Sequence, residues 1–426
     1  MTRSPAPLLL VALAACAAST PPRTDGGPRD GGSPDSGSRD RPSELPPPVD
    51  GAPDVVPHPG GPAVAFQIDI AHTGNQPVST LTPPLTRAWS VDFGGGVSLV
   101  SYPLIADGRV FVTTSPSDEA PGTSTLRALD LGTGTVMWGP IDLGENQWAN
   151  AAYDDGRVYV AVSKCVLTAF DAATGATVWA KQLPGQSACS SPPTAAGGMV
   201  YLSGDDVGGT LHGIDGSTGA EVWSVPELLG GDVSSPALSA DAVFVDYACV
   251  QAYAFSRTDG TPIWRHDGTC NGPGGATPAL WQGRLWTRDA SPVSPNNLLL
   301  DATSGAELGS FSASVIPAFA DQRGFFLTDD GTLQALDLTT STPLWSFTGD
   351  GGLVSAPVVV NGVVYVGSSS GQLYALDPTT GTVAWSDTLP WGVSRSNESG
   401  VAPVAGLGAG GNALVVPAGN HLVGYR

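Results

Sequence analysis

The stretch "LYALDPTTGTVAW" (residues 373–385) alternates apolar and polar residues, turns at Asp377 and Thr380-Gly381, and closes on Trp385. It reads as a strand, a tight turn and a second strand. The phrase recurs as "LRALDLGTGTVMW" (Trp138), "LTAFDAATGATVW" (Trp179), "LHGIDGSTGAEVW" (Trp223), "AYAFSRTDGTPIW" (Trp264) and "LQALDLTTSTPLW" (Trp345). One copy, "LLLDATSGAEL", carries Gly309 at the closing position. A period of about 40 residues built from short alternating strands is that of a four-stranded propeller blade.

Each copy is preceded by two more strand signals. In "APVVVNGVVYVGSSSGQLYALD" an Asn-Gly turn joins the first two runs and a Ser/Gly turn joins the second to the third. Asn-Gly and Asp-Gly between apolar runs favour type I′ hairpins, which need positive φ at both central residues. The equivalent turns are 106–109, 154–157, 196–199 and 281–284. Every unit therefore has four strands, A to D from the channel outward. A lone closing strand, "LTRAWSVD" with Trp89, precedes the first unit, and a unit lacking that strand ends the chain. Pairing the two completes an eighth blade and leaves no open sheet edge. The expected fold is all-β: an eight-bladed propeller of four-stranded antiparallel blades over residues 63–426, closed by the N-terminal strand. The recurring Trp at one register reads as packing between blades.

Composition agrees with this. Glycine (56) and proline (38) are abundant and only 13% of residues are charged, where average domains carry roughly 25%. A net charge of −21 with two lysines, Lys164 and Lys181, excludes nucleic acid as a partner, since that surface must be basic. The amino terminus has one early cation, Arg3, and an apolar run at 7–15 that is too short to span a bilayer. Leu13-Ala14-Ala15-Cys16 resembles a bacterial lipobox. That resemblance implies a signal peptide over 1–15, lipid on Cys16 and a membrane anchor; Ala17 after the cysteine points to the outer membrane. Residues 16–62 hold Pro, Gly, Ser, Asp and Arg without apolar periodicity and read as a disordered tether.

The repeated [AG]-[LF]-D-x-x-T-G-x-x-x-W phrase resembles the PQQ-like β-propeller repeat family. The resemblance spans about residues 64–426. The family contains quinoprotein alcohol dehydrogenases, whose propeller holds the quinone and calcium, and also lipoproteins without catalytic activity in outer-membrane barrel assembly. The dehydrogenases carry adjacent cysteines against the quinone, a catalytic Asp and calcium ligands. Here no two cysteines are adjacent and the units lack long insertions. The expectation is therefore no PQQ, no calcium, no other metal and no enzymatic activity. Other signals read as architecture. "GSSSG" (367–371) and "GLGAGG" (406–411) fall between strands with no helix to follow, and the five histidines lack metal-ligand spacing.

Four cysteines remain in the propeller. Cys165 and Cys249 fall at B–C turns, while Cys189 and Cys270 fall in D-to-A connections. Those two loop types share a face, so the expected bridges are Cys165–Cys189 and Cys249–Cys270. The same face collects the least repetitive segments, which offer Trp148, Asn150, Asp232, Trp391, Arg395, Asn397 and Glu398 as candidate binding residues at the channel mouth. The structural set is Trp89, Trp138, Trp179, Trp223, Trp264, Trp345 and Trp385. The reading is a lipid-anchored envelope propeller that binds a protein partner, with outer-membrane protein assembly as its setting; a propeller that binds or senses a glycan or small ligand is the alternative, and a PQQ-dependent dehydrogenase ranks third.

Overall fold

A computed structural model describes residues 61–116, 123–144, 148–184, 186, 189, 191–204, 209–228, 234–247, 251–268, 275–288, 297–398 and 403–426. Among them every regular element is a strand, and the strands form eight sheets. Blade 1 spans residues 97–142, blade 2 149–182, blade 3 194–228, blade 4 237–266, blade 5 276–311, blade 6 318–347 and blade 7 358–388. Blade 8 joins 408–425 to the N-terminal strand Arg87–Asp92. That strand pairs antiparallel with His421–Tyr425, placing Trp89 opposite Gly424 and Asp92 opposite His421. The ring is thus closed as the sequence predicts. In blade 1 the innermost strand is split, Val97–Val100 and Leu104–Ala106 both pairing with Arg109–Pro116.

Turn chemistry sets the hairpins. Asn361 and Gly362 both have positive φ, +48° and +71°, as a type I′ turn requires. At the C–D turn of blade 7, Asp377 Oδ1 accepts the backbone N–H groups of Thr379 and Thr380 at 2.9 and 2.8 Å. These donors hold the Asp377 carboxyl below the usual range, the Thr380 amide contributing most. The blades therefore present two distinct ends: a turn face of A–B and C–D hairpins, and a connection face of B–C turns and D-to-A crossings.

The closing tryptophans staple blade to blade. In every closing tryptophan but Trp385, the indole N–H donates to the carbonyl just after the turn aspartate's position in the next blade: Trp89 to Leu131 at 2.9 Å, Trp138 to Ala172 at 3.1 Å, Trp179 to Gly216 at 2.9 Å. Trp223 reaches Arg257 at 3.1 Å, Trp264 reaches Ala302 at 2.8 Å, and Trp345 reaches Pro378 at 3.0 Å. The ring lies against the turn glycine of that next blade. At Gly381 (φ +70°) an added Cβ would sit 2.6 Å from Trp345 Cδ2, so the motif needs glycine for space as well as for conformation. A strand B aromatic backs the indole inside its own blade, as Phe325 does for Trp345 at 5.8 Å between centroids. At the seam, Trp385 packs edge-on against Tyr425. Beside it Arg87 pairs bidentately with Asp387, which also accepts the Tyr425 hydroxyl.

Blade 5 departs from the rule, and its neighbour departs with it. Gly309 supplies no indole, and Arg284 from strand B of blade 5 donates through Nη1 to Leu338 O at 2.8 Å, the acceptor at the homologous position. The turn of blade 6 then carries Ser341 (φ +56°) where the other turns carry glycine. With no indole over it, that turn has room for a Cβ.

One element was not foreseen. Residues 61–76, which carry no repeat signal, thread the channel and bond to the innermost strands of all eight blades. Ala63 exchanges two backbone bonds with Ile105 of blade 1, and Val64 O accepts from Tyr153 N of blade 2. His72 meets Thr194 of blade 3 at 3.5 Å. Ile70, Ala71, Thr73 and Gly74 carbonyls accept from Leu238, Leu280, Phe319 and Val359 of blades 4 to 7. Gln76 Nε2 reaches Ala409 O of blade 8 at 3.2 Å. Strand A edges have no partner within their own blades, and this segment supplies one.

Candidate functional site

The described part of the connection face is built around three departures from the repeat. The first is the Cys165–Cys189 disulfide, with Cα atoms 4.9 Å apart and 24 residues of sequence separation. It forms as predicted and ties a B–C turn of blade 2 to the connection entering blade 3. Closing a loop of this size stabilises by about 3 kcal/mol. Trp148 lies buried beside it, its indole N–H bonded to Cys189 O at 3.1 Å. Cys249, Cys270, Asp232 and Cys16 lie outside the described residues.

The second is the segment 389–398, which leaves blade 7 and crosses the mouth. Val393 N bonds Ser368 O, Ser394 N bonds Pro417 O, and Ser396 Oγ accepts Ala356 N. Trp391 stacks on His421 with centroids 3.5 Å apart. His421 Nε2 in turn lies 3.6 Å from Asp92 Oδ2. Arg395 is exposed and Asn397 half-buried. Further along, Val404 N donates to Asn150 Oδ1 at 3.0 Å, so Asn150 of blade 2 is committed to holding this crossing in place.

The third is a buried charged cluster. Glu398 and Arg288 are 8% and 4% exposed and form an ion pair between Oε2 and Nη2. Glu398 Oε1 accepts the backbone N–H of Thr277 at 3.0 Å, and Asp246 Oδ2 accepts the backbone N–H of Arg288 at 2.9 Å. Of the predicted mouth residues, the structure places Glu398 in this cluster. Trp148 and Asn150 are buried against neighbouring backbone, Trp391 is half-buried on His421, and Arg395 is exposed. Asp246 and Arg288 escaped the sequence reading. Both occupy one register of strand B, where the other blades carry Thr113, Ala161, Ser203, Leu327, Gly367 and Pro417. A register-by-register alignment of strand B would have exposed them.

Below the mouth, the channel segment adds two titratable groups. Asp69 accepts from Ala71 N, Thr73 N and the Thr73 hydroxyl. Burial nonetheless outweighs those donors and raises its pKa to about 6. His72 faces two carbonyl oxygens, Phe66 O at 2.7 Å and Pro236 O at 3.1 Å. Burial lowers its pKa, which favours the neutral ring.

The residues described here do not make the site that the quinoprotein resemblance implies. Calcium takes 6–8 oxygen ligands, and no group of three or more His, Cys, Asp or Glu converges among the described residues. Among the described residues, Glu398 and Asp246 both bond to Arg288, and the bridged cysteines are far apart in sequence.

Fold and repeat together define a PQQ-like β-propeller. The family model described as outer membrane protein assembly factor BamB matches residues 122–276 and 251–426, and the chain belongs to that family. Among curated relatives, the outer membrane protein assembly factor BamB of Nitrosomonas eutropha is 25% identical over 46% of this chain and 45% of its own. Lupanine 17-hydroxylase [cytochrome c] of a Pseudomonas species is 28% identical over 55% of this chain and 34% of its own. Quinoprotein ethanol dehydrogenase of Pseudomonas aeruginosa is 27% identical over 63% and 45%. The chain thus spans less than half the length of these relatives. Among solved structures, BamB from Moraxella catarrhalis superposes with a TM-score of 0.59 at 20% identity, covering 80% of this chain and 97% of that one. Quinohemoprotein alcohol dehydrogenase from Comamonas testosteroni gives 0.66 at 14% identity, covering 87% and 81%. These last two likenesses concern the fold.

The comparisons correct one expectation. The sequence reading assigned no enzymatic activity, yet enzymes match this chain at identities similar to the assembly factor's and over more of its length. Shared repeat architecture does not separate the two groups, because repeats encode the frame and activity resides in loops.

Proposed function

We propose that this chain is a cell-envelope docking propeller, carried on a lipid at Cys16 and a tether over 16–62, whose connection face receives a protein of outer-membrane assembly. Family membership supports this reading, together with the printed role of the Nitrosomonas relative. The structural observation that carries it is the contrast between a filled channel and an irregular connection face. The strand A edges lining the channel are bonded by residues 61–76, while the connection face holds the non-repeating segment 389–398 with Trp391 half-buried and Arg395 exposed. Irregular loops held on a rigid frame are where recognition concentrates.

The test is a photo-crosslinking residue at position 395 in the full chain in its native envelope. A specific adduct with an outer-membrane assembly protein, lost when the probe is moved to the turn face, is the expected result. Dye reduction on adding PQQ and calcium, with no such adduct, would transfer the chain to the dehydrogenase side of its relatives. Stabilisation by a polysaccharide panel alone would favour the glycan alternative. Cys16→Ser should move the protein from the membrane fraction to the soluble one.

A further inference from the structure

The Glu398 carboxylate occupies a receptacle that belongs to another part of the ring. Its partners, Arg288 and the Thr277 amide, are in blade 5, whereas Glu398 itself sits on the connection from blade 7 to blade 8. The receptacle is held by contacts of its own. Thr277 Oγ1 accepts Ser235 N at 3.0 Å, and the Arg288 backbone is tied to Asp246. The crossing segment is likewise anchored without Glu398, through Val393, Ser394 and Ser396. Two independently supported elements therefore meet through one buried side-chain pair.

The guanidinium is also only half used. Arg288 Nη2 serves Glu398, while Arg288 Nε is buried with no hydrogen-bond partner among the described residues. Nε and Nη2 together form the side edge that takes a carboxylate bidentately. A backbone N–H, a guanidinium edge and near-complete burial are the parts of a carboxylate-binding site.

We propose that Arg288, with the Thr277 amide, is a receptor for a carboxylate group, which Glu398 fills from within until an incoming carboxylate displaces it. This goes beyond the docking reading above and does not depend on it. Glu398 acts as a tethered competitor, so a free carboxylate meets a site already occupied at high effective concentration.

The test is chemical rescue in the full chain. Glu398→Ala should lower the thermal midpoint, and sodium formate should restore part of the loss where sodium chloride at equal ionic strength does not. The apparent formate affinity of Glu398→Ala should exceed that of the wild type by about tenfold or more. The gain should vanish in the Arg288→Met/Glu398→Ala double variant. If Glu398→Ala does not fold, Glu398→Gln keeps the shape and serves for the same titration. Succinate, and a short peptide with a free or amidated C-terminus, then separate small acids from chain ends as the source of the group. Equal formate effects on wild type and variant, or a gain that survives loss of Arg288, would overturn the proposal.

Discussion

The junction between blades 6 and 7 and the junction between blades 5 and 6 solve one problem with different residues. At the first, the Trp345 indole covers Gly381 and donates to Pro378 O. At the second, Gly309 leaves the indole out, Arg284 donates to Leu338 O, and Ser341 takes the glycine's place. The constant is a carbonyl that takes a side-chain donor, buried at Leu338 and part-buried at Pro378; the indole is one way of supplying that donor. The glycine depends on the indole, and where the indole is lost the glycine is lost as well.

This comparison can be broken most forcefully at its first member. Trp345→Ala should cost about 3–5 kcal/mol, since it removes a large packed ring and the carbonyl's donor together; urea unfolding measures it. Next, Gly381→Ala places a Cβ against Trp345 and forces a left-handed residue, at about 2–3 kcal/mol. In the Trp345→Ala background most of the packing part of that cost should disappear, and a double-mutant cycle checks it. Arg284→Met should cost about 1–3 kcal/mol by leaving Leu338 O buried without this donor. A cost near zero would show that the substitution of Arg for Trp has no energetic content. Ser341→Gly should change stability by less than about 1 kcal/mol, because relief of positive φ opposes added freedom in the unfolded chain.

The smallest effect tests what the two junctions share. Asp337 and Asp377 each accept two turn N–H groups, and these hold both carboxyls below the usual range. A carboxyl depressed in the folded state stabilises above its unfolded pKa, and that contribution is lost as pH falls through the folded value. Asp337→Asn and Asp377→Asn should therefore flatten the acid limb of stability, below about pH 4, to a small and similar extent. Unequal slopes would mean that the indole reaches further into the turn than its contacts indicate.

The period of the phrase, its turn residues and the lone strand around Trp89 were sufficient to read blade number, strand order and ring closure. Each depends on local patterning that repeats, and repetition makes a weak signal legible. The Cys165–Cys189 bridge followed from the same register. Residues 61–76 were not legible, since a segment bonded to eight different strands has no period of its own. The Arg288–Glu398 pair was half legible: Glu398 stood out on an irregular loop, whereas Arg288 ended an ordinary strand. The amino-acid sequence by itself thus determined the frame, because short-range turn and strand chemistry specifies each blade. The tertiary structure alone decided what fills the channel and which charges meet at its mouth, because those contacts join residues distant in sequence, Glu398 lying more than a hundred positions from both Thr277 and Arg288, whose pairing only the closed ring creates.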